Sequence, residues 1–209
     1  MKNILVFTLL IFTTIVTTGQ TFVSTSAQNK NVVLEEFTGI SCTYCPDGHK
    51  IANDIYNNNP GDVVLINIHA GSYANPQGPG TDYRTNFGTS ISTQAGTCGY
   101  PAGTVNRKDF TSQGWNQTST NCTATTAMSR GNWTQAANLV LNQPSYVNVA
   151  ARADLDISTR ELSVTVEAYY TDNSPISNNK LNVALLQNNI EGPQTGSQYN
   201  QTAVLPNGN

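Results

Sequence analysis

Charge is what this chain has least of. Only 11% of its 209 residues are Asp, Glu, Lys or Arg, against roughly a quarter in an average globular protein. The 13 acidic and 10 basic residues leave a formal charge of -3, and no Lys/Arg run occurs. A weakly acidic chain of this kind offers no electrostatic footprint for phosphate backbones, which excludes nucleic acid as a general partner. Histidine occurs twice and cysteine four times. The cysteines are spaced C-x2-C, then 52 residues, then C-x23-C, which matches no zinc-ribbon pattern. No metal and no other cofactor is expected. Long apolar runs are also missing: the stretch from Ile4 to Val16 is broken by three threonines and falls well short of the ~20 apolar residues of a membrane-spanning helix. What is abundant is Asn and Thr, together about a quarter of the chain. With 38% apolar residues a core can still form, which excludes charge-driven disorder.

The start of the chain bears on its compartment. Lys2 precedes the apolar run, and small residues follow it, ending in Thr25, Ser26 and Ala27. A basic start, a short apolar run and a small-x-small exit read as a secretory signal peptide over residues 1–27, cut after Ala27 or after Gly19. No cysteine precedes Cys42, so no thiol is placed for acylation. The mature protein is therefore expected to be exported, whether periplasmic, outer-membrane-associated or extracellular, where disulfides persist.

Residues 28–143 read as one domain. Val32, Val33, Leu34 and Phe37 mark a strand bounded by Thr38 and Gly39. A helix is expected over about 42–58, stopped by three asparagines, Pro60 and Gly61. Residues 62–68 are apolar enough for a strand buried on both faces. Strand, helix, strand in that order predicts a parallel pair with a right-handed crossover. A Gly/Pro/Asn loop over 71–80, a weak helix over about 82–94 and a short strand over 104–107 follow. Residues 109–129 give no periodic signal. Trp133, Ala136, Ala137, Val140 and Leu141 then recur at helical spacing, and that helix stops before Pro144. The fold class is α/β, with a boundary at the turn of Gln143, Pro144 and Ser145. Beyond it the period drops to two over 146–155, 160–170 and 181–186, as in half-exposed antiparallel strands. Three or four strands within 144–209 cannot close a sandwich of seven, so this accessory unit is expected to be a partial β-sandwich.

Chemistry concentrates at Cys42-Thr43-Tyr44-Cys45-Pro46, where a buried strand hands over to a helix. A thiol at a helix N-terminus has its thiolate favoured by unpaired N–H groups and the helix dipole. A second thiol one turn on can attack a mixed disulfide formed on the first. At about 100° per residue, Cys45, Gly48, Ile51, Ala52 and Ile55 share one helix face, with Cys42 at its edge. Cys42 is therefore the expected exposed nucleophile and Cys45 the buried resolving thiol. The competing reading is a short structural disulfide. His49 rises about 10 Å beyond Cys42 along the helix, too far to pair with the nucleophile, and is expected to pack. His69 ends a central strand as a satisfied core histidine or looks toward the dithiol. Cys98 and Cys122 are expected to form a structural disulfide, closing a loop of about 25 residues and worth roughly 3 kcal/mol. The sharper alternative has Cys98, three residues before Pro101, exchanging with the dithiol.

Val33-Leu34-Glu35-Glu36-Phe37, the Cys-x-x-Cys-Pro run and Gly99-Tyr100-Pro101 ahead of a short strand resemble a thioredoxin-fold domain. The fuller wording, Glu35-Glu36-Phe37-Thr38-Gly39 and Tyr100-Pro101-Ala102-Gly103 followed by Asn106-Arg107, is similar to the outer-membrane-protein-related thioredoxin-like family of Bacteroidetes, over about residues 31–143. The resemblance implies that Cys42 and Cys45 are the redox pair. It implies that Pro101 is cis and faces the dithiol, leaving the backbone of Tyr100 free to pair with an extended substrate strand. It also implies that Glu36, six residues before Cys42, is the buried acid that relays the proton of Cys45. Glu35 competes for that role, because adjacent strand residues face opposite ways. Tyr44 either faces substrate or is simply exposed. The central Thr43-Tyr44 pair and the lack of a Trp before Cys42 depart from thioredoxin, so the direction of electron flow is not specified.

The expected function is thiol–disulfide exchange on extended segments of other exported proteins. Its partners are exported protein thiols or disulfides and a redox partner protein, with outer-membrane or cell-surface association. The alternative comes from another class: a non-catalytic surface or periplasmic binding module with structural disulfides, attached through its β-rich tail.

Overall fold

The computed structural model describes residues 21–196. Most of the expected signal segment lies outside the described residues. Within them the chain divides into two compact units: Ala27–Ser145 together with residues 175–196, and residues 21–26 together with Tyr146–Ser174.

The larger unit begins with β1 (Val32–Thr38), α1 (Cys45–Asn58) and β2 (Val63–His69). β1 and β2 pair in parallel, from Val32 opposite Val63 to Thr38 opposite His69, as the strand-helix-strand order predicts. Then come α2 (Asn86–Ala95), β3 (Ala102–Val105), β4 (Asn116–Ser119), β5 (Cys122–Ser129) and α3 (Trp133–Leu141). The five strands form one mixed sheet in the order β2-β1-β3-β5-β4, so the α/β class holds. Strand alternation sorts the core into two layers. Leu34 and Val105, opposite in register, join Ala52 and Ile55 of α1 and Trp133 and Val140 of α3. Phe37 and Ala102, also opposite, join Ile68 and Ala95 on the α2 side. Trp133 is fully buried, and its indole N–H donates to the Met128 carbonyl at 3.2 Å, the partner such a ring requires.

Residues 109–129 are organised by polar bonds instead of hydrophobic alternation. The buried Asn116 accepts from the Phe110 N–H at 3.0 Å and donates to Asp109 Oδ1 and the Thr125 carbonyl, each at 2.8 Å. These bonds hold β4 against β5, two strands that no period announces. The Cys98–Cys122 disulfide, with Cα atoms 5.7 Å apart, ties the connection ahead of β3 to the start of β5.

The smaller unit is a hairpin of β6 (Val147–Asp156) and β7 (Glu161–Tyr170), paired along its full length from Val147 opposite Tyr170 to Asp156 opposite Glu161. Residues 22–26 run beside it. The Phe22 and Val23 N–H groups donate to Glu167 Oε2 at 2.7 and 3.0 Å, and Asn148 donates to the Ser24 and Ser26 carbonyls at 2.8 and 2.7 Å. The third strand expected over 181–186 does not form: these residues have no ladder, and Leu185 is 85% exposed. Alternation specifies two faces but supplies no edge to pair with, and a strand needs both.

Candidate functional site

Alternation along β1 sends Glu35 and Glu36 to opposite faces of the sheet. Glu35, opposite Thr104 in register, is buried and held by Arg107, whose Nε and Nη2 donate to Oε2 and Oε1 at 2.7 and 2.5 Å. Positive φ angles of 51° at Asn106 and 48° at Arg107 form the turn that carries the guanidinium there. Glu36, opposite Gly103, shares its face with Leu34 and lies beneath α1.

Glu36 is 1% exposed, and its Oε2 lies 2.9 Å from His49 Nδ1. His49 Nε2 is in turn 3.4 Å from Thr38 Oγ1, so Thr38, His49 and Glu36 form a buried chain. His49 does not merely pack. The signal for this was on the helix wheel: at about 100° per residue His49 falls roughly 40° from Cys45, on the buried face. What the wheel cannot supply is the partner. Glu36 Oε1 has no hydrogen-bond partner among the described residues and lies against Gly48, where a Cβ would sit 2.7 Å from it. The same Cβ would stand 3.1 Å from Pro101 Cβ. A glycine three residues after Cys45 thus lets carboxylate, helix and Pro101 converge.

Cys42 and Cys45 are joined in a disulfide, Cα atoms 5.4 Å apart. α1 begins at Cys45, not at Cys42, and Pro46 is the reason. In a helix begun at Cys42, residue 46 would have to donate to the Cys42 carbonyl, and proline has no N–H. Proline fits only the first turn, where that N–H is unused. Cys42 therefore sits in a turn, its N–H on the Gly39 carbonyl at 2.9 Å and its carbonyl accepting from the Cys45 N–H at 3.2 Å. The expectation of an exposed Cys42 is overturned: it is 2% exposed, and Cys45 is fully buried as read. Long-range contacts enclose the turn. Ser41 N–H donates to the Tyr73 carbonyl at 3.0 Å, and Gly39 packs on the Tyr73 backbone so closely that any Cβ would collide with it. Residues 194–196 lie across the other side, with Gln194 Nε2 donating to the Cys42 carbonyl at 3.1 Å.

The remaining sequence-picked residues divide between this region and elsewhere. The Tyr100–Pro101 peptide is cis, and the Tyr100 ring meets Tyr73 edge-on at 5.7 Å between centroids. Tyr44, the residue before α1, is 49% exposed, with the Arg130 guanidinium 5.6 Å from its ring centre. Arg130 is held by Asp47 at 2.5 Å. Tyr73, about half exposed and edge-on to Tyr100, was singled out by no motif because it lies in the 71–80 loop. Cys98 bonds Cys122, not the dithiol. His69 is buried edge-on to Tyr83 at 5.2 Å. Burial, and then the imidazole of His49, push it down to about 4.

An open cavity of about 280 Å³ lies on the other face of the sheet, lined by Ile91, Gln94, Thr104 and Arg107 among others, away from Glu36. Among the described residues there is no cluster of three or more His, Cys, Asp or Glu that could hold a metal ion, and no helix is long and apolar enough to cross a membrane. The arrangement places a disulfide-bonded Cys-x-x-Cys pair at the start of α1 and a buried carboxylate with one unpartnered oxygen against Gly48 of the same helix. Compared with family models, curated proteins and solved structures, the chain gives no significant match.

Proposed function

We propose that the larger unit is a thioredoxin-like domain in which Cys42 and Cys45 exchange electrons with thiols or disulfides on extended segments of other exported proteins. The observation that carries this reading is Glu36, a buried carboxylate with one unpartnered oxygen on the sheet face beneath the Cys45 helix. Such a group is costly to retain, and a purely structural disulfide gives no reason for it. The parallel β1-α1-β2 unit flanked by antiparallel β3 supports the thioredoxin-like reading.

In the reduced protein the Cys42 thiolate attacks one sulfur of a substrate disulfide, forming a mixed disulfide and expelling one substrate thiolate. Glu36 takes the Cys45 proton. The Cys45 thiolate then attacks Cys42 sulfur, restoring the internal disulfide and releasing the second substrate thiolate. The substrate gains two electrons and the protein loses two; the same steps run backward for substrate oxidation. His49 and Thr38 orient Glu36. Tyr100, Pro101 and Tyr44 face the substrate segment, whose backbone pairs beside Pro101. Export supplies the disulfide-permissive compartment. Cleavage after Gly19 retains the contacts of Phe22 to Ser26 with Glu167 and Asn148, whereas cleavage after Ala27 removes them.

Titration of the Cys42–Cys45 pair against a glutathione couple tests the reading. A potential between about -120 and -270 mV is expected of an exchanging pair. Cys42→Ser should abolish insulin-reducing activity. The 2% exposure of Cys42 favours a second reading, a non-catalytic binding module with two structural disulfides. A pair that stays oxidised below about -300 mV selects it.

A further inference from the structure

Cys42 lies in a loop outside the sheet, yet part of its cover comes from more than 150 positions along the chain. Thr195 N–H donates to the Ile40 carbonyl at 2.8 Å. Gln194 Nε2 donates to the Cys42 carbonyl at 3.1 Å and the Gly39 carbonyl at 3.3 Å. Gly196 is buried against Thr43 at φ +85°, and any Cβ there would collide with the Thr43 carbonyl. The approach is anchored upstream, where the Tyr83 hydroxyl donates to the Glu191 carbonyl at 3.2 Å and Gly192 packs on the Tyr83 ring with no room for a side chain. Pro193, between the two glycines, restricts the backbone to extended or turn geometry. Three loop carbonyls therefore take donors from a segment that belongs to no sheet, and both close approaches are made by glycines.

We infer that the loop of residues 39–42 is a docking shelf for a segment that presents a carboxamide side chain and turns at a glycine two residues on, as Gln194 and Gly196 do. Residues 194–196 of the chain occupy that shelf as a strap over Cys42. The inference rests on the redox reading for its purpose: a substrate segment reaching Cys42 displaces the strap. A partner segment with the same pattern, a Gln side chain and a turn at a glycine two residues on, competes for the same three carbonyls.

The test uses the full chain and reads the initial rate at which dithiothreitol opens Cys42–Cys45, by alkylation and mass analysis of the peptide carrying both thiols. Gln194→Ala removes two carbonyl contacts and Gly196→Val the close approach, and each should raise that rate about three- to tenfold. Leu185→Ser, at a position 85% exposed in the same stretch, should leave it at the wild-type value. A synthetic peptide of residues 188–196 should slow the Gln194→Ala protein again, and the same peptide with Ala at position 194 should not. Unchanged rates in both variants would overturn the strap, and no slowing by the peptide would overturn the shelf as a docking surface. Hydrogen exchange gives an independent reading: the Thr195 amide is protected in the wild type and exposed in Gly196→Val, and fast exchange in the wild type defeats the inference. Dithiothreitol reports access to the disulfide whether or not the protein is an oxidoreductase. Failure here is therefore distinct from a structural-range potential in the glutathione titration.

Discussion

Glu36 and His69 are two buried side chains whose replacement has a direct readout. Replacing Glu36 by Gln keeps shape and volume while removing the basic oxygen. Under the exchange mechanism, Glu36→Gln should slow resolution by Cys45 on the order of 100-fold and leave the first attack by Cys42 near its wild-type rate. Quenching the reaction and quantifying the accumulated mixed disulfide separates the two steps. At His69 the sign follows from burial. The folded imidazole is depressed to about 4, whereas the unfolded one titrates near 6.5. Between those values the unfolded chain binds a proton that the folded chain does not, so the stability is complete above about pH 6.5 and declines as pH falls, by on the order of 3 kcal/mol in total. His69→Gln should flatten that decline, seen by comparing urea midpoints at pH 7 and pH 4.5. At this scale the sequence was informative where chemistry depends on spacing, as at Cys42 and Cys45; Glu36 was reached through the family resemblance with Glu35 competing for the role, and strand alternation alone could not say which of the two faces α1. It was less so for His49, whose helix face is readable while its bond to Glu36, 13 positions away, is not.

At the scale of elements, α1 shows how single residues set boundaries. Pro46 keeps the helix from starting at Cys42, which is left in a turn. Gly48 then admits Glu36 and Pro101 to the helix surface. Gly48→Ala gains up to about 1 kcal/mol of helix propensity but inserts a methyl 2.7 Å from Glu36 Oε1, where overpacking costs about 1–3 kcal/mol. A net loss of about 1–2 kcal/mol is expected in urea denaturation. β1, β2 and α3 were legible because their apolar periods are strong. β4 and β5 were not, because Asn116 organises them through side-chain bonds to residues on both sides, and such bonds leave no hydrophobic period. The alternation at 181–186 misled for the complementary reason: a pattern of faces carries no information about an available edge.

In the whole molecule charge is scarce, and the two buried carboxylates of β1 are each given a partner inside the larger unit, Glu35 by Arg107 and Glu36 by His49. The Cys98–Cys122 bond staples the segment that has least hydrophobic organisation of its own. Replacing both by Ala should destabilise the protein by roughly 3 kcal/mol through the freed loop entropy. The reduction potential of Cys42–Cys45 should stay unchanged, since the two disulfides share no cysteine. Urea denaturation and the glutathione titration check the two halves of this expectation. The hairpin of β6 and β7 was read correctly as two antiparallel strands. Residues 175–196, expected to extend that hairpin, are grouped instead with the larger unit.

The sequence by itself determined the parallel β1-α1-β2 unit and the place of the Cys-x-x-Cys pair at its junction, because hydrophobic periodicity acts within a few residues; the start of α1, expected at about residue 42, falls at Cys45. Only the tertiary structure decided which glutamate lies beneath α1, what His49 bonds and why Cys42 is buried. Those outcomes depend on strand register and on contacts between distant residues, among them Gln194 on the Gly39 carbonyl, 155 positions apart, and on the Cys42 carbonyl, 152 apart. No local pattern encodes such a contact, since it forms only when folding brings both ends together.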